Sequence, residues 1–333
     1  MDGKEEVKRL FLYIMVAMVS MAAKAETKGL KTAIHKVDSA LAAKYMRTKY
    51  DTNYMSRPAT KLILTGRLNF SGTRIRSEGL LDNQQRFKTR MDADFKTTVS
   101  VGVNYMGIGV NLALNPAKLA GKYHDFELNF TKYGNQWGGE VSYQDAKNFS
   151  GWIDKEGEGE KDLPTENMQV RTLNVNFYYA FNHRRFSYPA AFTQTYIQRR
   201  SAGSFLLAAS YQGQWGNAEA DGHSLSLRLN NIGIGAGYGY NCVPSEKWLL
   251  HISALPTFIV HSNTSAAMDD KDAPLHYHFP EVIITSRGAV IRNFKRSFMG
   301  MSLVFNFTNV GDKNSLDIRN VRWLFRAFYG VRL

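Results

Sequence analysis

The sequence predicts an all-β fold: a transmembrane antiparallel up-and-down β-barrel of about twelve strands, with a short N-terminal helix and one internal helical insertion. Three observations carry this. The stretch Phe95 to Asn115 alternates with a period of two around a tight Met106-Gly107 turn. Similar segments of about ten residues, long enough to cross a bilayer when tilted, recur along the chain. A basic, then apolar leader precedes them, and an alternating apolar strand ends the sequence.

The leader has Lys4, Lys8 and Arg9, an apolar run from Leu10 to Ala23, and then Ala23-Lys24-Ala25. These are the three parts of a secretory signal peptide, expected to span 1–25 with cleavage after Ala25. The apolar run is too short for a spanning helix, which needs about 20 residues. No cysteine follows the cleavage site, so a lipoprotein is not expected. A mean hydropathy of -0.33 does not argue against a barrel, because lipid-facing residues alternate with polar ones.

Removing 1–25, with four basic and three acidic residues, lowers the formal net charge from +13 to +12. The basic residues are scattered over strand ends and polar faces, so no nucleic-acid partner is expected. Outer-membrane lipid, lipopolysaccharide phosphates and a positive lumen account for them. The aromatic content of 13% suits interfacial girdles. Cys242 is the single cysteine and makes no intrachain disulfide.

Residues 26–57 read as a periplasmic helical segment, since Leu30, Ile34, Val37, Leu41 and Tyr45 recur at three- and four-residue spacing. Such a helix suits the membrane surface, the barrel mouth, or packing against the first turn. The barrel is expected over 58–333. Its first strand alternates Leu62, Leu64, Leu68 and Phe70 with Lys61, Thr65, Arg67 and Asn69. A long polar loop is expected from roughly Ser71 to Met91. The hairpin follows, with Val99, Val101, Val103 and Tyr105 opposite in facing to Thr98, Ser100, Gly102 and Asn104.

Next come Phe126 to Thr131, a Gly134-Asn135 turn, and Trp137 to Gln144. A second long loop holds Glu156, Glu158 and Glu160 between glycines. Thr172 to Phe181, Phe205 to Tyr211 and Ile232 to Tyr240 are further strands, the last with glycine at 233, 235, 237 and 239. Trp248 to Val260, Val282 to Ile291, Met301 to Phe307 and Val321 to Leu333 complete the set. The terminal strand has the alternating apolar tail through which barrel assembly machinery takes up its clients, with Leu333 where an aromatic residue is usual.

Short connections at Met106, Gly134, Arg184, Cys242 and Phe294 alternate with long ones. That pattern requires an even strand count with both termini in the periplasm. Arg185 to Ser201 would be a thirteenth strand, so it is read as a non-crossing insertion, with Ser187 as a helix cap and Pro189 in the first turn.

FSYPAAFTQTYIQRRSAGSF, from Phe186 to Phe205, together with Asp51-x-x-Tyr54 and GIGAGYGY, resembles the Bacteroidota barrel family known as domain of unknown function 4421. The resemblance runs from about Asp51 to the C-terminus. It implies an outer-membrane barrel and no assigned activity.

Two functional readings follow. The first is a non-enzymatic barrel, a narrow or plugged channel or a structural and surface-binding protein. Its inward candidates are Arg67, Lys96, Glu127, Glu140, Arg322 and Arg326, with Pro189, Gln194, Gln198 and Arg199 from the insertion. The insertion is expected to restrict the lumen, using space left by the four glycines for its backbone or for Phe192 and Tyr196. The alternative is an outer-membrane lipid hydrolase of the phospholipase-barrel type, resting on His251 and Ser253 at i, i+2 on one strand face. That pair is expected to face the lumen near a periplasmic turn, with no third orienting residue, so a non-enzyme is preferred. No cofactor is expected. No metal site is expected either: His276, His278, Asp269, Asp270 and Asp272 lack a calcium-loop pattern and read as a solvated loop.

Overall fold

A computed structural model of the chain describes residues 36, 38–40, 42, 43, 45, 47, 49–80, 85–114, 126–146, 149–163, 168–220, 223–268, 271–274, 281–311 and 316–333. It divides into a unit of residues 1–47 and a unit of residues 48–333. In the first, the described residues between 36 and 45 are helical. The expected signal peptide and most of the expected helical stripe lie outside the described residues.

The expectation of helix up to Ser56 is corrected. From Asp51 the chain turns and enters β1 (Met55–Ser56). Asp51 opens this turn by accepting backbone N–H groups of the residues that follow it. Its carboxylate takes the Asn53 amide at 3.0 Å and its carbonyl takes those of Tyr54 and Met55.

The second unit is a closed twelve-stranded antiparallel transmembrane barrel. Its walls are β2 (Leu62–Leu80), β3 (Arg86–Tyr105), β4 (Ile108–Leu114), β5 (Phe126–Tyr133), β6 (Trp137–Ala146) and β9 (Met168–Ala180). They continue through β11 (Ala202–Ala220), β12 (His223–Ser245), β13 (Trp248–Met268), β15 (Val282–Asn293), β16 (Ser297–Gly311) and β17 (Leu316–Arg332). Each strand pairs with its neighbour in the chain, and β2 pairs with both β3 and β17, Leu64 facing Val103 on one side and Val331 on the other. Leu62 and Leu333 exchange backbone hydrogen bonds of 3.2 and 2.8 Å at the seam. Closure leaves no edge in the wall, which a hydrocarbon environment demands.

The alternation of the sequence becomes the two faces of this wall. Val101, Ile252 and Phe205 are 60%, 68% and 70% exposed, whereas Thr98, Ser100 and Asn104 are buried toward the lumen. Apolar exposure on this scale, continuous around the barrel, is stable only against lipid. Tyr105, Trp137, Phe181, Tyr240, Trp248, Phe294 and Tyr329 are exposed beside the short connections and form an interfacial girdle there. The Met106-Gly107 turn has positive φ at both residues, 49° and 85°, the two-residue turn whose twist matches a hairpin.

The connections at 106–107, 134–136, 246–247 and 294–296 lie with both barrel ends at one end of the barrel; at the other end the connections are mostly longer, although β11 and β12 are separated by only two residues. Three sequence expectations need correction. Of the expected loop from Ser71 to Met91, residues 71–80 and 86–91 are strand, because β2 and β3 extend well past the apolar belt. In water both strand faces can be polar, so the alternation fades although the pairing persists, from Thr73 opposite Ala93 to Leu80 opposite Arg86. The glycine–glutamate run is the turn of a hairpin, β7 (Phe149–Lys155) and β8 (Gly159–Leu163), which pairs with β3. The connection expected at Cys242 falls at Glu246-Lys247, since β12 runs on to Ser245. A further short strand, β14 (Lys271–Pro274), pairs with β13.

Arg185 to Ser201 does not cross. β9 and β11 are direct neighbours, Tyr179 beside Leu207, and the segment between them folds inward as α1 (Tyr188–Phe192) and β10 (Ile197–Gln198). The two residues of β10 pair with Met55 and Ser56 of β1.

Candidate functional site

The insertion is built to stay inside the barrel. Ser187 caps α1 with extended backbone, its hydroxyl accepting the Ala190 amide at 3.3 Å, and Pro189 occupies the first turn where no N–H is needed. The helix ends where Thr193 and Gln194 both donate to the Pro189 carbonyl, at 3.0 and 2.9 Å. Gln194 takes a positive φ of 52°, a conformation uncommon outside glycine, and its side chain donates back to the Ala191 carbonyl at 3.0 Å. Phe186, Tyr188, Pro189, Ala190, Ala191 and Tyr196 are buried. This compact plug forms two apolar clusters with the wall, one through Leu249, Ile291 and Phe298 and one through Tyr133, Tyr178 and Leu206.

A polar latch holds the plug in place. Gln198, fully buried, donates to the carbonyls of Arg185 at 2.6 Å, Arg200 at 3.0 Å and Tyr54 at 3.3 Å, and accepts the Ser187 amide at 2.9 Å. Asn241 of β12 donates to the Ser187 carbonyl at 2.8 Å and to the Gln198 side chain at 3.0 Å. Its own oxygen accepts from His251 Nδ1 at 2.7 Å, leaving Nε2 to accept from the Ser253 hydroxyl at 3.0 Å. Ser187 also donates to Asn135 in the β5–β6 turn at 2.7 Å, and Asp51 N–H donates to the Arg184 carbonyl at 2.8 Å. Arg332, near the chain end, reaches Asn293 at 2.7 Å and the Gln194 carbonyl at 3.4 Å. The plug is thereby fastened to four separate stretches of the barrel unit, through Tyr54, Asn135, Asn241 and Arg332.

The expected His251–Ser253 pair thus exists, and with Asn241 it has the third residue expected to be missing. Register explains the oversight: Asn241 sits opposite His251 across the β12–β13 pair, visible only once the turn is placed at Glu246-Lys247. This row is sealed from solvent. His251 and Ser253 are 5% and 2% exposed, and Phe186, Tyr188 and Phe192 surround the imidazole with ring centroids 6.2, 5.4 and 5.0 Å away. The Asn241 amide is committed to the plug backbone, so the row acts as a support.

Above the plug lies a luminal cavity of about 220 Å³ with Tyr188, Phe192 and Gln194 in its floor. Arg67, Lys96, Glu127, Glu140, Arg322 and Arg326 all line it. Glu140 lies in the field of both Arg326 and Arg67. Glu140 is neutralised by Arg287, at 3.3 Å, and takes the Tyr133 hydroxyl at 2.5 Å. Arg287 also reaches Tyr133 at 3.2 Å and lies over the Phe192 ring, tying this pair to the plug. Glu127 accepts from Asn129 at 2.9 Å, and Arg67 donates to Asn111. Arg287 went unnoticed in the sequence because VIITSRGAVI, around it, shows no alternation.

Two expectations about the insertion are corrected. Arg199 is exposed, its backbone amide donating to Tyr54 at 2.7 Å, because the chain has left the lumen by that point. Of the four glycines, only Gly239 makes room for the plug, and it does so for Phe186 instead of Phe192 or Tyr196. A Cβ there would stand 3.0 Å from the Phe186 ring. At Gly235 and Gly237 a Cβ would strike the backbone of Pro256 and Ala254, so those glycines serve the close approach of β12 and β13. Among the described residues no acidic, histidine or cysteine group is arranged to hold a metal ion. His276, His278, Asp269 and Asp270 lie outside the described residues.

A family model described as "Domain of unknown function (DUF4421)" matches residues 49–333. No curated protein matches the chain. Among solved structures, the chain resembles the outer membrane protein OprG from Pseudomonas aeruginosa at 13% identity. That match covers 83% of this chain and 97% of that one, with a TM-score of 0.30. The transport unit of the autotransporter AIDA-I from Escherichia coli matches at 12% identity, with 87% and 97% coverage and a TM-score of 0.32. The β domain of the Bordetella autotransporter BrkA matches at 9% identity, with 82% and 100% coverage and a TM-score of 0.33. The barrel itself is defined by the strand pairing described above.

Proposed function

The chain belongs to the family described as domain of unknown function DUF4421, and from that premise and the geometry above we propose that it is an outer-membrane barrel whose lumen is closed by its own insertion: a narrow, plugged channel. The carrying observation is the latch, in which Gln198 gathers the Arg185, Arg200 and Tyr54 carbonyls and Asn241 of the wall holds both Gln198 and the Ser187 carbonyl inside the barrel. A wall that needed only filling would use apolar side chains, as small barrels do. A hydrogen-bonded plug above which a polar cavity remains suits gating or binding better.

The apolar belt, the aromatic girdle and the edgeless wall support residence in a bilayer, with lipid and lipopolysaccharide as surroundings. The expected signal peptide supports export, and a terminal strand that closes the wall supports insertion by barrel assembly machinery. A lipid hydrolase is not favoured, since Ser253 is sealed beneath Tyr188 and Phe192 on the luminal side, away from lipid.

Replacing residues 187–201 with a short Gly/Ser linker tests the reading. The barrel should still show a heat-dependent gel shift, because wall pairing is untouched, and its single-channel conductance should rise well above that of the parent. A folded variant with unchanged conductance would show the plug to be a bystander.

A further inference from the structure

The two carboxylates in the cavity lining are already engaged, Glu140 by Arg287 and Tyr133, and Glu127 by Asn129. Among the described residues Arg322 and Arg326 make no hydrogen bond or ion pair with a carboxylate, and Arg326 shares the field of Glu140 with Arg287. They project into the cavity from the same face of β17, four residues apart. Their partners in register are neutral: Thr73 and Asn306 beside Arg322, Asn69 and Ser302 beside Arg326. Arg326 Nε is buried and makes no hydrogen bond among the described residues. Arg67, whose one hydrogen bond among those residues is to neutral Asn111, is the diagonal neighbour of Arg326, roughly 7–8 Å away by backbone position.

None of the three guanidinium groups has a carboxylate as its cross-strand partner; Arg67 and Arg326 repel each other while sharing the field of Glu140, and with Arg322, Lys96 and Arg287 five cations face the two carboxylates of the lining. Burying a charge without a partner is costly, and an anion set between them removes both penalties. Their geometry also defines the anion. Arg322 and Arg326 stand roughly 13 Å apart along the strand, on the same face. A planar guanidinium fork matches carboxylate or phosphate oxygens two at a time. Serine, threonine and asparagine neighbours add neutral donors and acceptors without competing charge.

We propose that the cavity above the plug is a binding site for a small anionic solute bearing carboxylate or phosphate groups, held by Arg322 and Arg326 with Arg67 completing the cradle. This rests on reading the lumen above the plug as accessible to solutes, and gives that lumen a substrate class. The plug then forms the floor of the site through Phe192 and Gln194.

The test is calorimetric titration of the folded full-length protein in detergent with succinate and, separately, inorganic phosphate; glucose is the neutral control. At least one anion should bind saturably and glucose should not, and whichever anion binds identifies the head group. Arg322→Gln with Arg326→Gln should weaken binding at least tenfold. Arg322→Lys with Arg326→Lys, which keeps the charge, should recover part of it and shows that any loss is not misfolding. Lys247→Gln, an exposed turn residue carrying the same charge change, should bind as the parent does. Absence of binding by both anions, no loss in the glutamine variant, or equal loss in Lys247→Gln would overturn the proposal. The readout is occupancy, not current, so binding that persists when the plug replacement leaves conductance unchanged would sink the channel reading and spare this one.

Discussion

Asn241 of the wall and Gln198 of the plug are joined by a 3.0 Å hydrogen bond inside the barrel, and each is also bonded to plug backbone. The bond couples two residues 43 positions apart that are both fully buried. Neither has an apolar alternative in its surroundings, because each answers carbonyl groups that would otherwise be stranded without water. The latch is therefore a single cooperative unit.

That coupling is measurable. Gln198→Ala strands the Arg185 and Arg200 carbonyls, and Asn241→Ala strands the Ser187 carbonyl and frees His251. Each substitution should cost about 1–3 kcal/mol, the penalty for leaving buried polar groups unpaired. The double variant should cost clearly less than the two together, since both losses release the same plug. Urea unfolding of the folded protein in detergent, followed by tryptophan fluorescence, gives all three values; strict additivity would mean that the residues act separately. Ester hydrolysis by parent and Ser253→Ala, measured in the same preparations, should be equally absent.

Gly239 offers an orthogonal probe of the same contact. A side chain there meets Phe186 and Leu206, at 3.0 and 3.2 Å for the first carbon alone, so Gly239→Val should overpack the plug against the wall and cost about 1–3 kcal/mol. Gly66 lies on the lipid-facing side of β2 with nothing within 4 Å of its would-be Cβ, and Gly66→Ala should be neutral or slightly stabilising. Limited proteolysis should find the plug of Gly239→Val newly cleavable and that of Gly66→Ala unchanged.

What the sequence revealed, and what it hid, follows from which solvent each face meets. Within the belt, lipid outside and polar lumen inside enforce alternation, so Val99 to Tyr105 and Ile108 to Leu112 are legible residue by residue. Beyond the belt, water bathes both faces, and the pairing of Arg74 with Asp92 at 2.6 Å leaves no period in the sequence. The plug was legible by a different route: an even strand count forbids a crossing between β9 and β11. The latch needed register as well. Asn241 gains its meaning only opposite His251, and a turn misplaced by a few residues hides it. Arg287 is hidden by apolar residues on both faces of β15, where Ile283 and Ile291 point inward to meet the lumen and plug.

Orientation in the membrane supplies the last expected outcome. The connections at 106–107, 134–136, 246–247 and 294–296 and the plug share one end with both barrel termini, and bacterial barrels keep that end in the periplasm. The turn at Glu158 should therefore face outside and the turn at Lys247 the periplasm; both residues are exposed, so a reagent that reaches either end will find its target. Cysteines are introduced singly at these positions with Cys242 replaced by serine, a change required because the native thiol is only partly shielded. A membrane-impermeant maleimide applied to intact cells should label Glu158→Cys strongly and Lys247→Cys only after the outer membrane is permeabilised. The reverse pattern would invert the barrel and put the plug at the outer mouth, while equal labelling in intact cells would remove the chain from the outer membrane altogether.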